Sequence, residues 1–185
     1  MESRWTISGI TRAMGPILAV LVLVEIGSGL VLGRYERRLL QMPALLVLVP
    51  VTIGTAGNLG SILASRLSTA LALGTVGPDR GGRWLVGSAI ATIALAATLF
   101  PLVGLGAWGL ASLTVDPTLP AVTVVTIATV SGIVLANIAI VVTSVTTWIA
   151  WHAGFDPDSV VIPVVTNVCD VLGVVVLFAV VELLV

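Results

Sequence analysis

Five uninterrupted apolar stretches, each close to the roughly 20 residues a helix needs to cross a hydrocarbon layer, leave this chain little choice of fold. They run approximately from Ile10 to Leu32, Pro43 to Ser65 with a continuation as far as Leu73, Trp84 to Leu105, Val122 to Ile149, and Val160 to Leu184. Inside a bilayer every backbone N–H and C=O must find its partner within the protein, which restricts spanning segments to α-helices and closed barrels. The short alternating segments of a barrel are absent, so the expected fold is an all-α membrane protein of five transmembrane helices. Only 9% of the residues are charged, against about 25% in soluble domains, and the five runs consume nearly all of the 185 residues. Residues 1–185 therefore read as a single transmembrane domain, with no room for soluble sensor domains.

Between the runs lie "GRYERRLLQM", "GTVGPDRGGR", "DPTLP" and "WHAGFDPDS", which gather most of the charge, Pro and Gly and read as short loops at the membrane surface. Arg4 and Arg12 precede the first run, but the run is too long for a signal peptide and has no obvious small-x-small cleavage site, so it reads as a retained helix. Arg4, Arg12, Arg80 and Arg83 outweigh Arg34, Arg37 and Arg38, which by the positive-inside rule places the N-terminus in the cytoplasm of a multi-pass protein of the cell membrane. Trp5, Trp84, Trp148, Trp151 and Glu182 fall where headgroups are expected. Cys169 is the single cysteine, so no disulfide forms within the chain. His152 has no partner at zinc-ligand spacing, and no P-loop, G-x-S-x-G or H-E-x-x-H motif is present, so no enzyme activity is expected. The net charge of −1 gives no reason to expect nucleic acid.

The informative residues are the polar ones inside the runs. In "IPVVTNVCDVLG", Asp170 stands near the middle of the last run, where insertion scales charge roughly 2.5–3.5 kcal/mol for an aspartate. Such residues face the bundle interior and mark ion or proton paths. Pro163, Thr166, Asp170 and Gly173 recur at helical spacing and share one face. Pro163 removes a backbone donor and crowds the carbonyl of Ser159, leaving carbonyl oxygen under-bonded on that face. Oxygen-rich surroundings of this kind suit hard cations such as Mg²⁺ and Ca²⁺.

A second polar face lies in "PVTIGTAGNLGSILASRLSTALALG", where Gly54, Asn58, Ser61 and Ser65 recur at four, three and four residues and Gly57 and Gly60 permit close backbone approach. Glu25 in the first run can line a path, pair with Arg66 or sit near an interface. Ser131 and Asn137 in the fourth run are either functional or hydrogen-bond between helices.

Taken with their flanking residues, these two faces resemble the membrane domain of the MgtE magnesium channels and the related solute-carrier magnesium transporters. The segment "DPDSVVIPVVTNVCDVLG" is similar to that family's D-P-x(5)-P-x(2)-T-x(3)-D-[VI]-x-G signature at Asp156, Pro157, Pro163, Thr166, Asp170 and Gly173. The stretch "YERRLLQMPALLVLVPVTIGTAGNLGS" is similar to its aromatic-E … P-x(3)-G-x-G-G-N pattern at Tyr35, Glu36, Pro50, Gly54, Gly57 and Asn58, departing at Ala56 where the family usually has glycine. The resemblance implies a pore on a two-fold axis, lined by the second and fifth helices of two five-helix units, either identical or related chains. It implies Mg²⁺ as the transported and bound ion, with Asp170 as its carboxylate and Thr166, Asn58, Gly54 and Ser61 beside it. Bacterial members also carry cytosolic domains, including a CBS pair, that sense Mg²⁺; with about nine residues before the first run, that feedback is not expected here. Two other readings stay open: proton- or Na⁺-coupled exchange with Asp170 or Glu25 titrating, and a non-transporting scaffold subunit.

Overall fold

A computed structural model describes residues 7–75, 81–114 and 118–185. Arg4, Trp5 and Arg80, and the start of the "DPTLP" segment, lie outside the described residues. The described elements are the helices α1 (Ile7–Arg34), α2 (Glu36–Gln41), α3 (Pro43–Ala72), α4 (Gly81–Ser112), α5 (Ala121–His152) and α6 (Pro157–Leu184). Five of them are long and apolar enough to cross a membrane, as the sequence predicts. Each is longer than a hydrocarbon layer requires. The 32 residues of α5 make a rod of about 48 Å at 1.5 Å per residue, longer than a hydrocarbon layer of about 30 Å. One expectation fails: "GRYERRLLQM" is not simply a loop, because Glu36–Gln41 within it form the short helix α2.

Local chemistry explains where the helices stop. Gly74 and Gly154 take positive φ of 65° and 73°, a conformation that costs a residue with a Cβ but not glycine. After each, the chain returns hydrogen bonds into the last turn, Thr75 N–H to Ala70 O and Gly74 N–H to Leu71 O, then Phe155 N–H to Ala150 O and Gly154 N–H to Trp151 O. These are Schellman closures of α3 and α5. Pro43 and Pro157 sit at helix starts, where a missing N–H costs nothing.

Lipid is as apolar as leucine, so helices in a membrane associate through close packing of small residues and not through hydrophobic expulsion. The bundle follows this rule. A Cβ on Gly132 of α5 would overlap the Phe100 ring of α4, and one on Gly104 would come within 2.7 Å of the Val125 Cα. On the other side of α3, a Cβ on Gly60 would lie 2.7 Å from Val165 of α6 and 3.3 Å from Ala139 of α5. Phe100, Leu135, Ala136, Ala139, Val165 and the free Cys169 are fully enclosed there.

Helices α3 and α5 form the middle of the bundle, with α4 packed on one side and α6 on the other. Helix α1 stands outermost, its backbone approaching only α6 and α2 among the described residues. It is fixed at its end by Tyr35, whose ring stacks on Phe178 of α6 with centroids 3.8 Å apart and planes 7° from parallel. An ion pair at 3.0 Å between Arg38 Nη1 and Glu182 Oε1 closes the same corner. Both groups are about half exposed, so the pair orients α2 more than it stabilises it.

Gly132→Ala should lower the stability of the bundle by about 1–3 kcal/mol, the usual cost of overpacking, because the enclosed Phe100 ring has nowhere to go. Gly54→Ala, with nothing within 4 Å of its added Cβ, should leave stability unchanged. Thermal unfolding of both variants in the same detergent, followed by monodispersity, measures the difference.

Candidate metal-ion groove

Helix α6 is flanked by α3 and α1, and the backbones of those two flanking helices stay more than 8 Å apart among the described residues. The strip of α6 between them is therefore the floor of a groove. On the α3 side, the Cβ position of Gly57 lies 3.6 Å from Thr166 Cγ2, and a Cβ on Gly173 would press to 2.6 Å from Ile53. On the α1 side, Ser28 Oγ donates to the Asp170 carbonyl oxygen at 3.2 Å, and Phe178 holds Tyr35. Asp170 falls between these two edges of α6 and is half-buried.

The two polar faces found in the sequence meet along the Gly57–Thr166 contact. Gly54 and Asn58 are exposed beside it, Ser61 is half-buried, and Ser65 is exposed further along α3. No hydrogen bond joins the α3 face to Asp170 or Thr166 among the described residues.

The hydroxyls are instead turned onto their own helices. Thr166 Oγ1 donates to Ile162 O and to Pro163 O, both at 3.0 Å, and Ser61 Oγ donates to Gly57 O at 2.9 Å. A hydroxyl whose proton is committed to backbone offers only lone pairs to whatever lies beside it. The rims of the groove thus present acceptor oxygen. The carbonyl of Pro163 takes a further bond from Asn167 Nδ2 at 3.2 Å.

At the α2 end, Gly29, Leu32, Gly33, Glu36, Leu39, Leu40 and Leu46 line an open depression of about 330 Å³ between α1, α2 and α3, with Glu36 its one acidic lining residue. At the opposite end Asp156 caps α6, accepting from Asp158 N–H at 3.3 Å and from Ser159 Oγ at 3.1 Å.

Other expectations resolve differently. Glu25 makes no ion pair with Arg66; Arg38–Glu182 is the ion pair among the described residues, and Glu182 is thus held by a cation as well as lying near a helix end. Asn137 bonds within its own helix, to Ile133 O at 2.8 Å, and the enclosed Ser131 Oγ has no partner, so neither bridges helices. His152 Nδ1 faces the Trp148 carbonyl at 2.8 Å. No group of three or more His, Cys, Asp or Glu able to hold a metal occurs among the described residues.

Two residues of the groove escaped the sequence reading, Ser28 and Asn167. Their signal was present, since Ser28 follows Glu25 by three residues and Asn167 precedes Asp170 by three, each one helical turn from a membrane-embedded carboxylate.

The family model for MgtE, a divalent cation transporter, matches residues 49–180, well over half of the chain. The chain belongs to the MgtE family of divalent cation transporters. The MgtE match begins in α3 and ends in α6, so it contains Gly54, Asn58, Ser61, Thr166 and Asp170. Helix α1, with Glu25 and Ser28, lies outside it. No individual curated protein matches the chain significantly.

Asp156→Ala should destabilise the start of α6 by about 0.5–2 kcal/mol, the worth of an N-cap, and Asp156→Ser should restore most of the loss. Thermal unfolding and amide exchange over residues 157–163 measure it.

Proposed function

We propose that this chain moves divalent cations, Mg²⁺ foremost, along the groove between α1 and α3, with Asp170 as the charged ligand. The observation that carries this reading is the position of Asp170 itself: a carboxylate at mid-helix, half-buried between two helices that leave it uncovered, with no ion-pair partner among the described residues. A scaffold would need no such group, and its cost in hydrocarbon requires a compensating cation or water.

Mg²⁺ gives up water reluctantly and is usually held through one or two carboxylates with several waters retained. The groove suits that habit. Thr166, Asn58, Ser61 and the Gly54 backbone offer neutral oxygen to an ion's water shell, and Gly54 leaves open space at the α3 wall. Entry down the membrane potential gains about 4.6 kcal/mol per 100 mV for a doubly charged ion, twice the single-charge value of about 2.3, so the process needs no nucleotide.

The exposed α3 polar face is costly against lipid. Pairing two chains across a two-fold axis covers both copies of it at once and sets two Asp170 carboxylates around one path, the closed symmetry most oligomers adopt. The second chain is another copy or a related one. In this reading the N-terminus is cytoplasmic, the Asp156 end of α6 faces the cytoplasm, and the Glu36 depression faces outside the cell membrane.

Asp170→Asn, which keeps shape and removes charge, should abolish Mg²⁺ uptake into proteoliposomes at unchanged folded yield; uptake at the wild-type rate sinks the assignment. Asn58→Ala and Thr166→Ala should reduce flux or shift preference among Mg²⁺, Mn²⁺, Co²⁺ and Ca²⁺ without abolishing transport. For assembly, light scattering in mild detergent should give two chains per particle, and transport by vesicles holding a single chain would refute the paired pore.

A further inference from the structure

Glu25 is exposed at the edge of the side of α1 that meets α6. Leu21, Glu25, Ser28, Leu32 and Tyr35 recur at four, three, four and three residues, which keeps them on one helical stripe. Two contacts set the register: Ser28 stands level with Asp170, and Tyr35 stands level with Phe178. Both helices run the same way, so Glu25, three residues before Ser28, stands level with Asn167, three residues before Asp170.

Asn167 supplies the second observation. Its side chain is 7% exposed, and its Nδ2 is satisfied by Pro163 O, while its Oδ1 is enclosed with no hydrogen-bond partner. An enclosed acceptor without a donor costs about 1–3 kcal/mol. Ionised Glu25 cannot relieve it, since a carboxylate only accepts. A cation, or a water held by one, relieves it directly.

The charges point the same way. Glu25 and Asp170 lie within electrostatic reach of each other, and neither has a basic partner among the described residues. Two like charges and an unpaired oxygen in one seam form a set that a divalent cation neutralises and a lipid chain does not.

We infer that Glu25, Asn167 Oδ1 and Asp170 together hold a hydrated divalent cation at a station on the α1 wall of the groove, contributed by one chain alone and lying partly outside the family-matched residues. The station rests on the transport reading above and adds to it a carboxylate from α1. It is a positional claim with a direct consequence: selectivity and low-concentration uptake depend on α1, a helix that otherwise only borders the bundle.

The test uses the full chain, with Mn²⁺ as a paramagnetic probe for binding to purified protein and Mg²⁺ flux into liposomes. Glu25→Gln and Asn167→Leu should each weaken Mn²⁺ binding by about tenfold, the low end of what losing a supporting group costs a metal site, and Glu25→Asp should retain most of it. In a Cys169→Ala background carrying Glu25→Cys, Mg²⁺ should slow modification by a charged thiol reagent, a readout that does not depend on the native carboxylate. If Glu25→Gln and Glu25→Leu bind Mn²⁺ and move Mg²⁺ as the wild type does while Asp170→Asn has lost both, the α1 station is overturned and the groove stands. If Asp170→Asn also behaves as wild type, both readings fall.

Discussion

The rest of the structure depends on how closely α3 and α6 approach. Gly57 lies at ordinary contact distance from Thr166, and Gly60 and Gly173 admit Val165 and Ile53 to distances at which a Cβ would collide. In a membrane, where no hydrophobic expulsion draws helices together, this van der Waals intimacy is the main force available. It also fixes rotation. With Thr166 and Gly173 turned onto α3, the next strip of α6 around the helix carries Pro163 and Asp170, and α1 packs beyond that strip with its backbone apart from that of α3. The groove is what remains between two contacts that α6 makes on either side.

The same packing decides which polar groups stay available. Thr92 and Ser144 bond to carbonyls one turn back on their own helices, a common way for hydroxyls to be tolerated in apolar surroundings. Thr166 and Ser61 do likewise, but beside a groove and not against lipid or core, so their lone pairs have a function open to them. Thr143 differs in reaching across to Gly60 O at 3.4 Å, which ties α5 to α3 behind the groove. The groove is lined mainly by backbone and hydroxyl oxygen, with Asp170 as the carboxylate of its floor.

Helix α1 belongs to the bundle by a narrow seam. Its apolar outer positions, Leu23, Ile26 and Leu30 among them, are exposed, and its hold on α6 comes from Ser28, the Tyr35 stack and the corner made by α2. A helix attached this way contributes little to packing density, and Ser28 is one of its few fixed contacts with α6.

Length, hydropathy and the near absence of charge were enough to determine from sequence that the fold is helical, that five helices are long enough to span, and that Asp170 and the Gly54–Ser61 stretch are the unusual residues, because the bilayer permits so few alternatives. Spacing also announced which residues share a face, since that follows from the 3.6-residue turn alone. It did not disclose that Glu36–Gln41 would be helical, because six residues at a surface carry too short a period to read. It placed Asp156 in a loop and Asp170 within a span, but it did not disclose that Asp156 caps α6 while Asp170 has no ion-pair partner among the described residues. The tertiary structure decided that α1 and α3 flank α6 with their backbones apart, that Glu25 lies level with Asn167 and away from an ion pair with Arg66, and that Asn167 keeps an unpaired oxygen. Those are relations between helices, and a helix's own periodicity specifies its faces but not which neighbour each face will meet.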